Sequence, residues 1–222
     1  MNPIKPTFKT EVIPLTFIGL TAIAAYYFYN HFPEKIVTHW NYAGVPDGWG
    51  SGHSNAIAIP LVLVGMYLMF MLLPYIDPKK ERYEQFTKVY HAFKGIMIVF
   101  LAIIFFATGL FNLGYNLPIG KIIPVMIGIM FVILGNYMGK IKFNWFVGVK
   151  TPWTLSSEEV WNKTHRFFGK IFMISGVILA LNAWLPGKIG MIVFIANMVM
   201  LVFGGFIYSY IAYRQEQKKS IK

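Results

Sequence analysis

The chain has 222 residues, of which 56% are hydrophobic and only 13% are charged. Soluble domains average about 45–50% apolar and about 25% charged residues, so this composition excludes an ordinary soluble domain, and it also excludes a disordered chain. The net charge of +11 is compatible with binding to nucleic acid. The distribution of the cations along the chain, however, favours a membrane protein.

Six charge-free runs, each long enough to cross a bilayer, divide the chain. Crossing about 30 Å of hydrocarbon takes about 20 mostly apolar residues in a helix. We therefore predict an all-α integral membrane protein with six transmembrane helices. The predicted helices span residues 12–30, 56–76, 95–113, 122–139, 168–186 and 190–213. None of them is expected to hold a charged residue deep in the membrane, as ion-coupled transporters usually do.

Lysine and arginine are distributed unevenly over the predicted loops. Seventeen of the 20 lie in the N-terminus, the second and fourth loops and the C-terminal tail, and only three lie in the other loops. Cations concentrate in cytoplasmic loops, so both termini are predicted to be cytoplasmic. The same cations favour contact with anionic lipid headgroups, and no direct binding of nucleic acid is expected. Residues 1–9 and the tail after Tyr213 are the candidates for disorder.

The first outer loop, between the first two helices, is predicted to form a short β-hairpin. Residues 35–41 are β-branched and aromatic, which favours a strand, and residues 44–48 contain the glycine and proline typical of a turn. In this reading the turn at Pro46, Asp47 and Gly48 presents His39 and Trp40, with a positive φ at Gly48.

Three side chains of this loop, His39, Asp47 and His53, are candidate metal ligands. Histidine and carboxylate ligands suit zinc, but the spacing matches no standard motif, so we expect neither a metal nor a cofactor. The chain has no cysteine, which excludes disulfides and thiolate metal sites.

The fourth loop, on the inner side, contains a predicted amphipathic helix over residues 157–170. Ser156 and Glu159 have the spacing of a capping box at its start. Trp161 belongs to the apolar stripe, whereas Lys163 and Arg166 belong to the polar face. We predict that this helix lies in the inner membrane interface and leads into the fifth transmembrane helix.

Four asparagines near or within the spans are predicted to form hydrogen bonds between helices. They are Asn112, Asn136, Asn182 and Asn197. A polar permeation path is the alternative reading of these residues. His91 and His165 are expected to pack at the inner interface. No nucleotide-binding or metalloprotease motif is present, so the protein is not expected to be an enzyme.

Two loop motifs resemble a known family. The outer residues His39-Trp40-Asn41-x-x-Gly44-x-Pro46-Asp47-Gly48 resemble the loop motif of a widespread bacterial membrane domain. The inner segments 144–156 and 160–169 resemble the C-terminal motif of the SdpI immunity-protein family. The inner residues that carry this resemblance are Asn144, Gly148, Lys150, Thr151, Pro152, Trp153, Trp161, Lys163, His165 and Arg166.

The resemblance implies a multi-pass protein of the bacterial cytoplasmic membrane that gives immunity to a secreted antimicrobial peptide or toxin. It also implies inward signalling, in which a small transcriptional repressor is held at the inner face. The family usually has arginine at the position of Lys150, and lysine cannot make the bidentate contacts of arginine.

The chain is predicted to divide into three parts: an N-terminal membrane domain with the outer loop (1–76), a basic inner loop with the third helix (77–121), and an SdpI-type C-terminal membrane domain (122–222). Two other functions stay open. One is a transporter or exporter of a small or lipid-like molecule, and the other is a hydrolase that uses the outer histidines.

Overall fold

The computed structural model describes residues 3–220 and contains six long apolar helices. These helices are α1 (Phe8–His31), α2 (Gly52–Ile76), α3 (Thr87–Asn112), α4 (Ile119–Met138), α6 (Glu158–Asn182) and α7 (Gly187–Ser220). Each is long and apolar enough to cross a bilayer. The prediction of six transmembrane helices is therefore confirmed, and the protein is a multi-pass cell membrane protein.

The short elements lie in the loops. Strands β1 (Lys35–Trp40) and β2 (Pro46–Ser51) pair as an antiparallel hairpin, which confirms the predicted hairpin. A 3₁₀ helix (Lys80–Gln85) and the short helix α5 (Pro152–Ser156) follow in the second and fourth loops. The hairpin and the α3–α4 and α6–α7 turns lie at one end of the bundle, called here the hairpin end. The start of α1, the end of α7 and the two longer loops lie at the opposite end, called the terminal end.

All six helices begin before their predicted starts, and three of them extend well beyond the predicted limits. Helix α3 begins at Thr87, and α6 begins at Glu158, because the predicted amphipathic helix and the fifth transmembrane helix are one continuous helix. Helix α7 continues to Ser220, so the prediction of disorder is wrong for residues 214–220, and residues 221–222 lie outside the described residues. Ile4 is fully buried within the segment 3–7, contrary to the disorder predicted there; residues 1–2 lie outside the described residues.

Glycines bring α4 and α6 into close contact. A Cβ atom added at Gly128 would lie 2.4 Å from the Gly176 carbonyl oxygen, and one at Gly135 would lie 2.7 Å from the Gly169 carbonyl oxygen. Small residues at a helix interface let two backbones approach closely in a membrane. Helix α6 packs against both α4 and α7, so these three helices form one group. Helices α1, α2 and α3 form a second group, and the two groups meet along α3 and α4.

A buried ion pair joins α1 to α3 near the terminal end. The Lys94 ammonium donates to both Glu11 carboxylate oxygens at 2.7 and 2.6 Å, and the Tyr67 hydroxyl donates to the same carboxylate at 2.8 Å. The Lys94 side chain is fully buried. Lys94 stands just before the third charge-free run, but α3 begins at Thr87, so the observed helix includes a charged residue that the predicted helix 95–113 did not.

Candidate binding surfaces at the two ends of the bundle

The turn of the hairpin is made by residues 41–45. The Asn41 side-chain oxygen accepts the backbone N–H groups of Ala43 and Val45 at 2.9 and 3.1 Å. Gly44 has a φ of +76°, a conformation that favours glycine. The predicted turn at 46–48 is therefore wrong, because these residues begin β2.

Gly48 is required for a different reason from the one predicted. It lies in the extended strand β2 and does not have a positive φ. A Cβ atom at this position would lie 2.8 Å from the Cβ atom of His39 on the paired strand. The absence of a side chain at Gly48 thus lets the two strands approach beside His39.

Three contacts fix the hairpin to the bundle. Asn112 of α3 accepts the Val37 backbone N–H at 2.8 Å and donates to the Val37 carbonyl at 3.0 Å, as a neighbouring strand would. The Gly44 backbone packs directly on Gly120 at the start of α4, since a Cβ atom on Gly44 would lie 2.9 Å from the Gly120 Cα atom. The Asn182 side-chain amide of α6 donates to the Tyr42 hydroxyl at 3.0 Å.

The three candidate metal ligands do not meet. The His39 Nδ1 atom and the Asp47 carboxylate form an exposed hydrogen-bonded pair at 2.5 Å. The His53 ring instead packs edge-on against Tyr29, with 4.7 Å between ring centroids. Within residues 3–220, no group of three or more potential metal-ligand side chains is assembled. In this structure His39, Asp47 and His53 are not assembled into one site.

A cavity of about 1010 Å³ lies beneath the hairpin, between α3, α4, α6 and α7. Four residues of the outer motif, His39, Trp40, Asn41 and Gly44, contribute to its wall, whereas Pro46, Asp47 and Gly48 do not. Most of the other lining side chains are apolar, and Lys121 is the one lysine. Among the described residues that line the cavity there is no carboxylate. The cavity thus offers an apolar space with a weakly cationic rim.

At the terminal end, Asn144 holds the fourth loop in shape. Its side-chain nitrogen donates to the carbonyls of Lys142 and Val147, and its oxygen accepts the N–H groups of Phe146 and Val147. Asn144 is completely buried. A buried amide with all four bonds made is a structural support for the loop, so Asn144 is not placed to contact a partner.

Asp77 ties this loop to the second one. Its carboxylate accepts the Tyr83 hydroxyl at 2.9 Å and the Trp145 backbone N–H at 3.0 Å, while Asp77 itself is 2% exposed. Burial, together with the hydrogen bond to Asp77, raises the pKa of Tyr83 well above its usual range. The phenol therefore stays protonated and donates to the carboxylate. Sequence analysis did not single out Asp77, which is separated from Trp145 by 68 positions.

His165 is a buried structural residue, and the expectation of an interface position is wrong. A backbone N–H from Val149 donates to its Nε2 atom at 2.9 Å, and its Nδ1 atom lies 2.9 Å from the Trp161 carbonyl oxygen. Since a backbone N–H only donates and a carbonyl only accepts, the ring is neutral and carries its proton on Nδ1. Gly148, with a φ of +126°, makes room for the ring, because a Cβ atom there would lie 2.2 Å from Nε2.

Trp161 is also fully buried, as the apolar stripe predicts. Its indole N–H donates to the Ile141 carbonyl at 3.0 Å, and its ring stacks on His165 with 4.0 Å between centroids. The predicted cap at Ser156 is displaced by one residue, because Pro152–Ser156 forms the separate helix α5. Ser157 caps α6 by accepting the Val160 N–H, and it donates to Glu216 of α7 at 2.7 Å.

Thr151 caps α5 and joins it to α7. Its hydroxyl accepts the Thr154 N–H and donates to the Ser209 hydroxyl at 3.0 Å. The buried Thr151 side chain therefore fixes α5 against α7 in this part of the inner motif.

The exposed part of the inner motif is small. Lys150 is exposed and makes one hydrogen bond, from its ammonium to the Phe146 carbonyl at 3.1 Å. Arg166 is exposed, and Lys163 is partly exposed and pairs with Glu159 one turn earlier. Pro152 is exposed and Trp153 is half-buried against α7, at 4.8 Å from the Phe206 ring.

The asparagines have separate roles. Asn112 clamps the hairpin, Asn182 contacts Tyr42, and Asn197 of α7 accepts the Ser175 hydroxyl of α6 at 2.7 Å. The hydrogen bonding predicted between helices is therefore present at Asn197. Asn136 is exposed on α4.

Comparison with known proteins agrees with the two motif-bearing loops. Residues 140–209 match the SdpI/YfhL protein family, and residues 16–64 match a domain of unknown function (DUF1648). "Immunity protein SdpI" of Bacillus subtilis (strain 168) is 28% identical over 207 residues, which cover 93% of this chain and 97% of the relative. No solved structure gave a significant match. The chain is thus similar to an SdpI immunity protein over nearly its whole length, and its segment 140–209, which contains the inner motif, matches the SdpI/YfhL family.

Proposed function

We propose that this protein protects its own cell against a secreted antimicrobial peptide or toxin, which it meets at the hairpin end. The observation that carries the proposal is the cavity beneath the hairpin, whose wall includes His39, Trp40, Asn41 and Gly44 of the outer motif. The name of the Bacillus subtilis relative, an immunity protein aligned over nearly its full length, supports an immunity function of this kind.

The proposal requires that the hairpin end faces outward and that both termini are cytoplasmic. The excess of lysine and arginine in the loops of the terminal end supports this orientation. Because the chain has no cysteine, a single cysteine at Val45 or at Ser156 is the only thiol present. In intact cells, a membrane-impermeant maleimide is expected to label Val45→Cys and to spare Ser156→Cys. The reverse pattern would contradict the orientation.

Survival of exposed cells tests the immunity function itself. A sensitive bacterial strain with and without this protein is exposed to purified secreted antimicrobial peptides, one set apolar and uncharged and the other set cationic. We expect protection against the apolar set, because the cavity is apolar and its single lysine repels cationic peptides. Equal survival of both strains against every peptide would contradict the immunity function.

A second part of the proposal concerns the terminal end, where we propose that a small cytoplasmic repressor is held. The exposed cations Lys150 and Arg166, together with the exposed Trp145, support a binding surface for a soluble protein. Aromatic and arginine side chains are common at the centre of such surfaces.

The cavity also favours one alternative function, export of a lipid-like molecule, because large apolar cavities suit such cargo. Purified protein in vesicles would then move a fluorescent lipid between leaflets faster than empty vesicles do. Protection without such movement would favour immunity over export.

A further inference from the structure

Two residues that line the cavity beneath the hairpin each carry a buried polar atom for which the described residues offer no hydrogen-bond partner. These atoms are the indole nitrogen Nε1 of Trp40 and the amide oxygen Oδ1 of Asn182. Asn182 as a whole is 6% exposed. An indole nitrogen only donates and an amide oxygen only accepts. A buried polar group without a partner is destabilising, so a molecule with both an acceptor and a donor would satisfy this site.

We propose that the cavity binds an apolar segment of the incoming peptide through one of its backbone amides. In this arrangement the peptide N–H donates to Asn182 Oδ1, and the peptide carbonyl accepts from Trp40 Nε1. The inference rests on the proposed immunity function and names the chemical group that is recognised. Each peptide unit carries one donor and one acceptor. These are the two partners that Asn182 Oδ1 and Trp40 Nε1 lack.

The remaining wall of the cavity selects an apolar segment. Phe111, Phe131, Phe194 and Met198 line it, and Phe111 packs edge-on against Trp40 with 5.3 Å between ring centroids. A volume of about 1010 Å³ lies at the top of the range of about 300–1,000 Å³ typical of small-molecule pockets. This space suits a few apolar residues of a peptide and not an entire folded domain.

The geometry around Asn182 favours a peptide over a lipid chain. The Asn182 side-chain nitrogen already donates to the Tyr42 hydroxyl at 3.0 Å, so only its oxygen is left for a ligand. That oxygen needs a donor. A lipid acyl chain has no polar hydrogen and its ester oxygens only accept, whereas a peptide backbone supplies the N–H that Asn182 needs.

Photocrosslinking from a single cysteine tests this site in the full-length protein in membranes. Thr108 lines the cavity from α3, and Ile192 lies on the exposed side of α7 near the same end. A benzophenone maleimide is attached to Thr108→Cys, or to Ile192→Cys as the control. The probe is a biotin-tagged synthetic copy of the apolar antimicrobial peptide against which the protein protects cells most strongly.

We expect the crosslinked peptide at position 108 to exceed that at position 192 by about tenfold. Asn182→Leu deletes the oxygen proposed to bind the peptide and also the nitrogen that donates to Tyr42, whereas Trp40→Phe deletes the indole nitrogen. Each should lower the signal at 108 by about tenfold, the effect of losing one good hydrogen bond to the peptide. Two variants are used so that a folding defect in one, seen as low abundance, does not decide the result.

The experiments distinguish failure of the cavity site from failure of the proposed immunity function. If cells are protected but the peptide crosslinks only at Val45→Cys on the turn, the cavity site is wrong and the immunity function stands. Crosslinking of lipid instead of peptide at position 108 would also overturn the inference. If no peptide is neutralised in the survival test, the immunity function fails and the inference fails with it.

Discussion

The two ends of the bundle hold their loops in different ways. At the terminal end, the fourth loop is fixed from within, because Asn144, Thr151 and His165 are buried and bind the backbone or a neighbouring helix. At the hairpin end, the loop rests on the bundle through the Asn112 clamp and the contact between Gly44 and Gly120, above a large cavity.

This difference explains why similar motif residues have different roles. Three of the six polar residues that sequence analysis singled out in the inner motif, Asn144, Thr151 and His165, are buried supports, so their replacement should affect folding first. Four residues of the outer motif instead border a space that the chain itself does not fill. Replacements there should affect binding of an incoming molecule while the protein stays abundant.

The largest effect is expected for Trp161→Ala at the terminal end. The substitution removes a fully buried ring and leaves the Ile141 carbonyl without its indole donor. Truncation of a buried aromatic residue commonly costs about 3–5 kcal/mol. Thermal unfolding in detergent and abundance in the membrane should both fall, whereas Trp145→Ala, at a residue 48% exposed, should change neither. Equal effects of the two variants would contradict the structural role of Trp161.

Lys94→Met is expected to lower the stability of the protein by a similar or slightly smaller amount. It leaves the Glu11 carboxylate buried with Tyr67 and Thr10 as hydrogen-bond donors and with His91 Nδ1 at 3.5 Å. Removing one partner of a buried ion pair typically costs about 3–5 kcal/mol, whereas replacing both partners is often neutral. Stability should therefore return in the double variant Glu11→Gln with Lys94→Met.

The exposed Lys88 provides the control on the same helix, since Lys88→Met should leave the unfolding temperature unchanged. Failure of the double variant to recover would mean that Lys94 is needed for more than neutralising Glu11.

Gly44→Ala should separate binding from folding at the hairpin end. Alanine at a φ of +76° costs about 1–2 kcal/mol, and its Cβ atom would meet the Gly120 Cα atom at 2.9 Å. The hairpin should therefore shift over the cavity, so that protection is lost at nearly normal abundance. Gly120→Ala should have the same effect from the other side of the contact.

Gly65→Ala is the matched control, because nothing lies within 4 Å of a Cβ atom at Gly65. A parallel fall in protection and abundance for Gly44→Ala would show that the hairpin also supports the fold.

Sequence reasoning succeeded where the signal is local. Charge-free runs predicted six helices, and the β-branched and aromatic segment 35–41 followed by the glycine–proline segment 44–48 predicted a hairpin, although the turn itself lies at 41–45. Hydropathy and turn chemistry act over few residues. It failed where partners are far apart in the chain. Glu11 and Lys94 are separated by 83 positions, and Tyr42 and Asn182 by 140. The cavity depends on such distant contacts, so the sequence indicated motif residues but not the space that they border.

The smallest effect on stability is expected for the double variant Lys163→Glu with Arg166→Glu. Arg166 is exposed, and Lys163 makes only a partly exposed ion pair with Glu159. Such exposed pairs contribute little to stability, and like charges one helical turn apart cost about as little. Abundance and protection at the hairpin end should therefore stay normal.

Retention of a cytoplasmic repressor should nevertheless be lost in this variant, because reversing two charges repels an acidic surface that the wild-type cations attract. The measurement is the membrane-bound fraction of a fluorescently tagged repressor, chosen as a small DNA-binding protein that wild-type cells retain at the membrane. Lys88→Glu, on the exposed side of α3, is the control for net charge. If the double variant retains the repressor as the wild type does, this part of α6 supports only the bundle. Only the hairpin end would then bind another molecule, in the cavity beneath the hairpin.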